Sequence, residues 1–398
     1  CKLNSITTNT TYRQLQILDT LLSNKPIENT LQSRIEMDLS FLKRFIRSRT
    51  FYQIGTGQEQ RREFQYLQVQ PGNGVFIWND YDTNGIKTLN EFEIASDLDR
   101  QRADYIKIYT PVAGFITTNT NKISQTLELN PRVFVKSTDG KKPFYSKFSN
   151  ITSVIYEKKV LPNTLADFVN PFDNNLSDTN LINNSKNLRS TLFYNRTNSV
   201  YSIDYTYINN SNKVLLTNGF DSRENKEHIL NNRINLSRVF SLTNRFRIGD
   251  KRYTSQFFGD RSYFYSFWSI EPKLQYIYKN KFRADLKTSF YQANNAVEFG
   301  GESSKNIEVG TEMKYTKPQK GTLLIAASYI NVDYQGETGT TLGYELLRGL
   351  QNGNNATWRL SYQQTLANNI QVVLSYDGRK SEDAPVIHIG RLVARYLF

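Results

Sequence analysis

Residues 386–398 read VIHIGRLVARYLF, a stretch in which the character of the side chains alternates. Counting in steps of two places four apolar side chains on one face of an extended strand: Leu392, Ala394, Tyr396 and Phe398. The cationic residues of the same stretch, Arg391 and Arg395, fall on the opposite face. The stretch therefore predicts an amphipathic β-strand with aromatic residues at its end.

The same alternation recurs upstream in segments separated by polar turns. Residues 282–290 read FRADLKTSF and residues 307–315 read IEVGTEMKY, so that apolar and charged side chains occupy opposite faces in both. Polar turns intervene at 278–280, 300–302, 318–321 and 351–354. This rhythm predicts an all-β, antiparallel fold of roughly 12–16 strands.

The charged faces of these strands distinguish between two kinds of β protein. In the core of a sandwich every buried charge would need a partner, whereas inside a water-filled barrel the charges need no special pairing. Each segment is also long enough to cross a bilayer when tilted. We therefore predict a transmembrane β-barrel with these lumen-facing charges: Arg283, Asp285, Lys287, Glu308, Glu312, Lys314, Arg359, Arg391 and Arg395.

Composition narrows the function classes. The mean hydropathy is −0.56 and no window approaches about 18 consecutive apolar residues, which excludes a helical membrane protein. The chain has 398 residues, with 25 Tyr and 24 Phe, a β-rich composition. Its net charge of +13 is scattered through alternating strands, so nucleic acid is not a predicted partner. The surplus fits solvated faces and loops, or else a cationic lumen or a rim that meets anionic lipid phosphates.

Residues 80–91 read DYDTNGIKTLNE and satisfy the calcium-loop pattern D-x-[DN]-x-[DN]-G-x5-E. The oxygen ligands of a Ca²⁺ ion would come from these residues: Asp80, Asp82, Asn84, Ile86 through its carbonyl, Thr88 and Glu91. Lys87 stands where an EF-hand usually has an aliphatic residue, and neither flank is predicted to be helical. We expect a solitary EF-hand-like loop that Ca²⁺ rigidifies; alternatively, the carboxylates cap an exposed turn.

The predicted organisation is barrel strands at 1–58, an inserted loop region with the calcium motif at 59–111, and barrel strands at 112–398. Gly55-Thr56-Gly57 is interpreted as a turn, and Leu161–Lys186 as a long loop. Cys1 is the single cysteine, which excludes an internal disulfide and a cysteine-based metal site. Cys1 is interpreted either as a lipidated mature N-terminus or as a point of truncation.

Several passages together resemble the C-terminal barrel portion of large outer-membrane proteins of the Bacteroidota: residues 52–59, 78–93, 344–351, 375–381 and 386–398. The last of them also resembles the signal by which bacterial outer-membrane barrels are handed to their insertion machinery, here Leu392, Ala394, Tyr396 and Phe398. The resemblance implies an integral protein of a Gram-negative outer membrane. Implied partners are outer-membrane lipid and lipopolysaccharide, the barrel-assembly machinery, and a plug or surface lipoprotein. A role in secretion or outer-membrane assembly is compatible with the resemblance, but the quoted motifs name no reaction.

The predicted function is transport, protein translocation or surface assembly without catalysis. The two histidines, His228 and His388, have no evident Ser or Asp partner in the sequence, which argues against an enzyme. Two alternatives stay open. One is a soluble or surface β-sandwich that binds carbohydrate through its aromatic residues, and the other is the barrel of a TonB-dependent nutrient receptor.

Overall fold

The structure is a computed structural model that describes residues 4–15, 28–81, 83–95, 99–135, 143–162, 169–170, 180–217, 219–279, 281–318, 320–366 and 370–396. The described part forms one antiparallel sheet of 18 strands, and the prediction of an all-β antiparallel fold is confirmed. The number exceeds the expected 12–16 because two short strands lie in a stretch predicted to be a loop. Within the described residues, no helix is long and apolar enough to cross a membrane.

The strands follow in chain order: β1 (Ser5–Leu15), β2 (Glu28–Phe41), β3 (Ile46–Gln68), β4 (Phe76–Trp78), β5 (Phe92–Ile94), β6 (Tyr105–Leu129), β7 (Phe148–Val160), β8 (Leu181–Tyr194), β9 (Tyr201–Leu216), β10 (Gly219–Asn235), β11 (Phe240–Ser255), β12 (Tyr263–Tyr278), β13 (Phe282–Asn295), β14 (Ser303–Lys317), β15 (Gly321–Gln335), β16 (Gly353–Thr365), β17 (Ile370–Ser381) and β18 (Ile387–Tyr396). One α-helix, α1 (Thr341–Leu347), lies between β15 and β16. The remaining helices are single 3-10 turns in the connections, such as Leu89–Glu91.

The sheet is a meander in which neighbours in sequence are neighbours in space. The strand β3 pairs with β6, while β4 and β5 form a small hairpin between them, so sixteen long strands make up the meander. Within the described residues, the ladders give β1 and β18 one neighbour each, β2 and β17. Because consecutive long strands are antiparallel, their connections alternate between the two ends of the sheet.

The two ends differ in the length of their connections. Short turns such as 236–239, 279–281 and 318–320 lie at one end, which we call the short-turn end, together with one longer connection, 130–147. The connections after β3, β7 and β15 span 69–104, 161–180 and 336–352 and lie at the other, the long-loop end. Among the described residues, only the long-loop end carries an α-helix.

The two faces of the sheet differ in polarity. Strand β13 shows this most simply, with Asp285 and Lys287 on what we call the polar face and Leu286 and Phe290 on the apolar face. Asp285 is 7% exposed, whereas Leu286 is 52% exposed. In a water-soluble sheet the apolar side chain would be the buried one. The burial in this sheet is inverted.

The same inversion extends across the sheet. Buried polar side chains on the polar face include Thr206, Glu227, Ser269, Asp285 and Asn306. Exposed side chains on the apolar face include Leu230, Ile248, Ile270, Leu286, Ile307, Val309, Ile325 and Leu374. The registers fix these assignments because residues paired across an antiparallel ladder share a face.

Strands β3 and β6 extend past the rest of the sheet at the long-loop end. Residues 56–68 of β3 pair with β6 alone, since β2 follows β3 only as far as Gly55. Gly55 and Gly57 therefore lie inside a strand, and their interpretation as a turn was wrong. The projecting arm leans across this end, where Phe76 packs edge-on against Phe257 at a centroid distance of 5.3 Å.

The second long connection is shorter than expected. Residues Leu161–Lys186 were predicted to form a loop, but β8 begins at Leu181. Its first side chain packs with Val160 and Phe220 in a small apolar cluster at the long-loop end. Residues 163–168 and 171–179 lie outside the described part.

Candidate functional site

The polar face carries a network of ion pairs. Every charge predicted to face a lumen lies on this face, and the structure brings several of them together. Arg283 contacts Asp285 at 3.5 Å and Glu312 at 2.6 Å. Lys287 contacts Glu308 at 2.8 Å. These pairs cross-link β13 and β14.

The remaining predicted charges also lie on the polar face. Arg359 contacts Asp377 of β17, with 2.6 Å between Nε and Oδ1. Lys314, Arg391 and Arg395 take part in no ion pair within the described residues. The paired cations Arg283, Lys287 and Arg359 are 40%, 48% and 65% exposed, and ion pairs so accessible to water contribute little stability.

The connection 336–352 folds back onto the polar face. It places α1 against aromatic side chains of β11, β12, β13 and β15 near the long-loop end, where Leu346 is fully buried. Thr340 caps the helix by accepting a hydrogen bond from the Gly343 amide at 2.9 Å. The helix ends at Arg348, which has left-handed φ and ψ angles of 57° and 32°, and Gly349 follows with φ of 74°.

The apolar floor under α1 is unusual in lying on the otherwise polar face. It consists of buried side chains from four strands and the helix: Tyr253, Tyr263, Tyr265, Phe267, Tyr291, Ala293, Val332, Tyr334, Leu342, Leu346 and Leu347. Burying them against one another stabilises the inward position of the connection, since a buried aliphatic side chain contributes about 1.5–3 kcal/mol. The connection is therefore packed in place over the polar face.

Glu345 anchors α1 electrostatically. Its Oε1 accepts hydrogen bonds from Lys251 Nζ at 2.7 Å and from Tyr265 Oη at 3.1 Å. Burial raises the pKa of Glu345, but the hydrogen bond and charge of Lys251, the hydrogen bond from Tyr265 and the charge of Arg223 outweigh it. The pKa is therefore held below its usual range, and the carboxylate is ionised at neutral pH.

A cavity of about 400 Å³ lies on the polar face beside α1. Its lining includes four cationic side chains, Arg245, Lys273, Lys287 and Arg348, and two carboxylates, Glu271 and Glu308. The Arg348 guanidinium lies 4.7 Å from the centre of the Tyr291 ring, a cation–π contact that holds it beside the cavity. The arrangement suits the binding of small polar solutes.

The calcium-loop motif lies at the tip of the projecting arm, between β4 and β5. Asp80 Oδ1 accepts from the Asn84 amide at 3.1 Å, and Oδ2 accepts from the Gly85 amide at 2.9 Å. Gly85 has φ of 70°, the conformation for which the pattern requires glycine. Asp82 lies outside the described residues.

Glu91, the last residue of the motif, is almost fully buried. Its Oε2 accepts from Trp78 Nε1 at 3.0 Å and from the Thr88 amide at 3.0 Å, the latter as part of a capping box. The Ile86 side chain is exposed. Within the described residues, no three His, Cys, Asp or Glu side chains are grouped to hold a metal ion, and calcium binding stays a prediction.

The last strand places the predicted insertion signal on the apolar face. Leu392, Ala394 and Tyr396 share this face of β18, and Leu392 is 69% exposed. Phe398 and Cys1 lie outside the described residues. Both histidines also lie on the apolar face, where His228 Nδ1 is 2.6 Å from Tyr205 Oη and His388 Nδ1 is 2.8 Å from Tyr376 Oη.

Comparisons with known proteins give distant likenesses among solved structures. No protein-family model matches the chain, and no curated protein matches it. Among solved structures, the chain is similar to the ferric-catecholate import receptor Fiu from E. coli K12 in its open form. The identity is 10% and the TM-score is 0.41, over 96% of this chain and 61% of the receptor. The chain thus spans less than two thirds of the receptor's length.

The packing of the connection 336–352 on the polar face was not predicted from the sequence, although residues 344–351 are part of the resemblance described above. A signal was present, since Thr340 precedes and Gly349 follows a short apolar run, the usual start and stop of a helix. What the sequence did not show is the face on which the helix packs. That depends largely on aromatic side chains of β11, β12 and β13, which are distant from α1 in the sequence.

Proposed function

We propose that the chain is an integral β-barrel of a Gram-negative outer membrane and that its lumen serves the passage of polar solutes or polypeptide. The observation that supports it is the inverted burial of the sheet, with large apolar side chains exposed on one face and buried polar side chains on the other. Water would not stabilise so large an exposed apolar surface, whereas hydrocarbon would. The polar face then lines the lumen, and β1 pairs with β18 to close the barrel.

The strand number and direction support closure. A ring of antiparallel strands needs an even number, and the sixteen long strands leave β1 and β18 antiparallel to one another. Apart from 130–147, the connections at one end are short turns, and the two longest connections, 69–104 and 161–180, lie at the other end; bacterial barrels have short turns on the periplasmic side and longer loops on the extracellular side. The short-turn end is therefore assigned to the periplasm.

The height of the apolar band also supports the proposal. On β13 it covers residues 282–290, which span roughly 26 Å along the strand and roughly 20 Å of membrane at a tilt of about 40°. Aromatic side chains of the apolar face line the short-turn end: Phe240, Tyr276, Tyr278, Phe282, Tyr315, Tyr362 and Tyr396. Such rows of aromatic residues mark the interface between membrane and water.

The connection 336–352, which folds onto the polar face, supports a role of the barrel in passage rather than a purely structural role. The α1 helix narrows the lumen near the extracellular side and places Glu345, Arg348 and the adjacent cavity where a solute would pass. The proposed partners are lipid and lipopolysaccharide around the band, the barrel-assembly machinery through β18, and a plug or surface lipoprotein at the ends. The resemblance to large Bacteroidota outer-membrane proteins is consistent with secretion or surface assembly.

The test is heat-modifiability of the full chain, extracted from membranes in mild detergent and run on gels with and without boiling. The proposal expects a faster band without boiling and retention in the membrane after alkaline extraction. A chain that is water-soluble and shows no shift would contradict the proposal and favour the carbohydrate-binding sandwich.

A further inference from the structure

The cavity beside α1 has more positive than negative charge available to a ligand. Both of its carboxylates are already engaged: Glu271 contacts Arg247 at 3.0 Å, and Glu308 contacts Lys287 at 2.8 Å. Three of its cations, Arg245, Lys273 and Arg348, take part in no ion pair within the described residues. Arg245 is directly opposite Glu271 in the β11–β12 ladder, but that carboxylate pairs with Arg247.

The register of the sheet brings two of the cavity's cations together. Lys273 of β12 is directly opposite Lys287 of β13, so both ammonium groups share the polar face. Like charges directly opposite one another destabilise a ladder. An anion between them would remove this repulsion, and Glu308 neutralises only one of the two.

Arg348 is positioned before any ligand arrives. Its backbone is fixed at the helix C-terminus, its side chain is held against Tyr291, and α1 is fixed by the apolar floor and by Glu345. A guanidinium presents two parallel N–H groups that match carboxylate and phosphate oxygens. Because the group is already ordered, binding costs little further side-chain entropy.

We infer that this cavity binds a small anionic solute carrying carboxylate or phosphate groups, with Arg245, Lys273 and Arg348 as the binding residues. Its volume of about 400 Å³ is in the range of small-molecule sites. The inference deepens the proposed function by naming the solute class, and it rests on that function only for the role in passage. The binding itself depends on the cavity alone.

The test is a calorimetric titration of the full chain in detergent at low ionic strength, with citrate and with pyrophosphate as probes. Arg245→Gln should weaken binding by about tenfold, as expected for losing a charged hydrogen-bond donor, and Lys273→Gln should do the same. The matched control is Arg189→Gln, which removes one exposed guanidinium from the polar face of β8, outside the cavity. It should change binding less than about twofold, because solvent and salt screen distant charges.

Arg348→Gln changes a binding residue outside the sheet, so its effect on probe affinity does not depend on correct assembly of a strand. Tighter binding of citrate would assign the site to carboxylates, and tighter binding of pyrophosphate would assign it to phosphates. Failure of the wild type to bind either probe would overturn the inference, as would equal weakening by Arg189→Gln. A chain without heat-modifiability that still binds with this variant pattern would overturn the membrane proposal alone.

Discussion

The effect of Leu286→Arg on the free energy of unfolding distinguishes a membrane-embedded sheet from a water-soluble one. Leu286 lies midway along the apolar band of β13, opposite Leu274 of β12 and Thr311 of β14. An arginine on the lipid-facing side at the bilayer midplane costs about 2–4 kcal/mol. On a water-exposed surface the same substitution, at a side chain already 52% exposed, would change stability by no more than about 0.5 kcal/mol.

The assay is urea unfolding of the refolded chain in phospholipid vesicles, followed by tryptophan fluorescence. Trp268 and Trp358 lie on the apolar face, so their emission reports the loss of lipid contact. The matched control is Ser289→Arg, on the polar face of the same strand opposite Glu308, with an expected change within about 0.5 kcal/mol. The reasoning fails if Leu286→Arg costs no more than this control.

Three further predictions follow from other parts of the structure. Glu345→Gln should loosen the connection 336–352 and speed its cleavage by protease. The pKa of Glu345 is held below its usual value near 4.5, so the wild-type connection should stay docked above that pH and loosen as the pH falls through the lower pKa. The variant should show no such pH transition. Gly378→Val should cost about 1–3 kcal/mol because the Trp358 ring covers Gly378, while Gly390→Val, at an open position of the same face, should cost less, and equal losses would refute this packing. Calcium should protect the projecting arm from protease in the wild type but not in the double variant Asp82→Ala, Glu91→Ala. Because Glu91 also caps the 3-10 turn, the quantity compared for each protein is the change in cleavage rate on adding calcium. A wild-type cleavage rate that does not change with calcium would contradict calcium binding.

The strands could be predicted because the alternation of apolar and polar side chains, with a period of two residues, is visible in the local sequence. Alternation such as FRADLKTSF assigns each side chain to a face without knowledge of its neighbours, and the turns at 279–281 and 318–320 fall where polar residues interrupt it. The position of Asp285 and Leu286 on opposite faces follows directly. Which of the two faces carries the buried side chains does not follow, because burial depends on contacts between distant strands.

The features that were missed depend on contacts between distant residues. Gly55 and Gly57 resemble a turn locally, yet they lie in β3 because β6 offers a continuous pairing partner. The two short strands depend on contacts with the projecting arm, since β4 pairs with β6 and Phe92 of β5 stacks on Tyr66 of β3. The position of α1 depends on an aromatic floor contributed by β11, β12, β13 and β15, and the cavity beside α1 depends on that position.

The most direct test of the membrane account is an accessibility scan along β13. Residues 283–288 are replaced one at a time by cysteine in a chain lacking Cys1, labelled with a nitroxide in lipid vesicles, and exposed to oxygen or to a water-soluble nickel chelate. We expect positions 284, 286 and 288 to respond to oxygen and positions 283, 285 and 287 to the chelate, with a period of two. Equal access of the chelate to all six positions would contradict a lipid-facing apolar side.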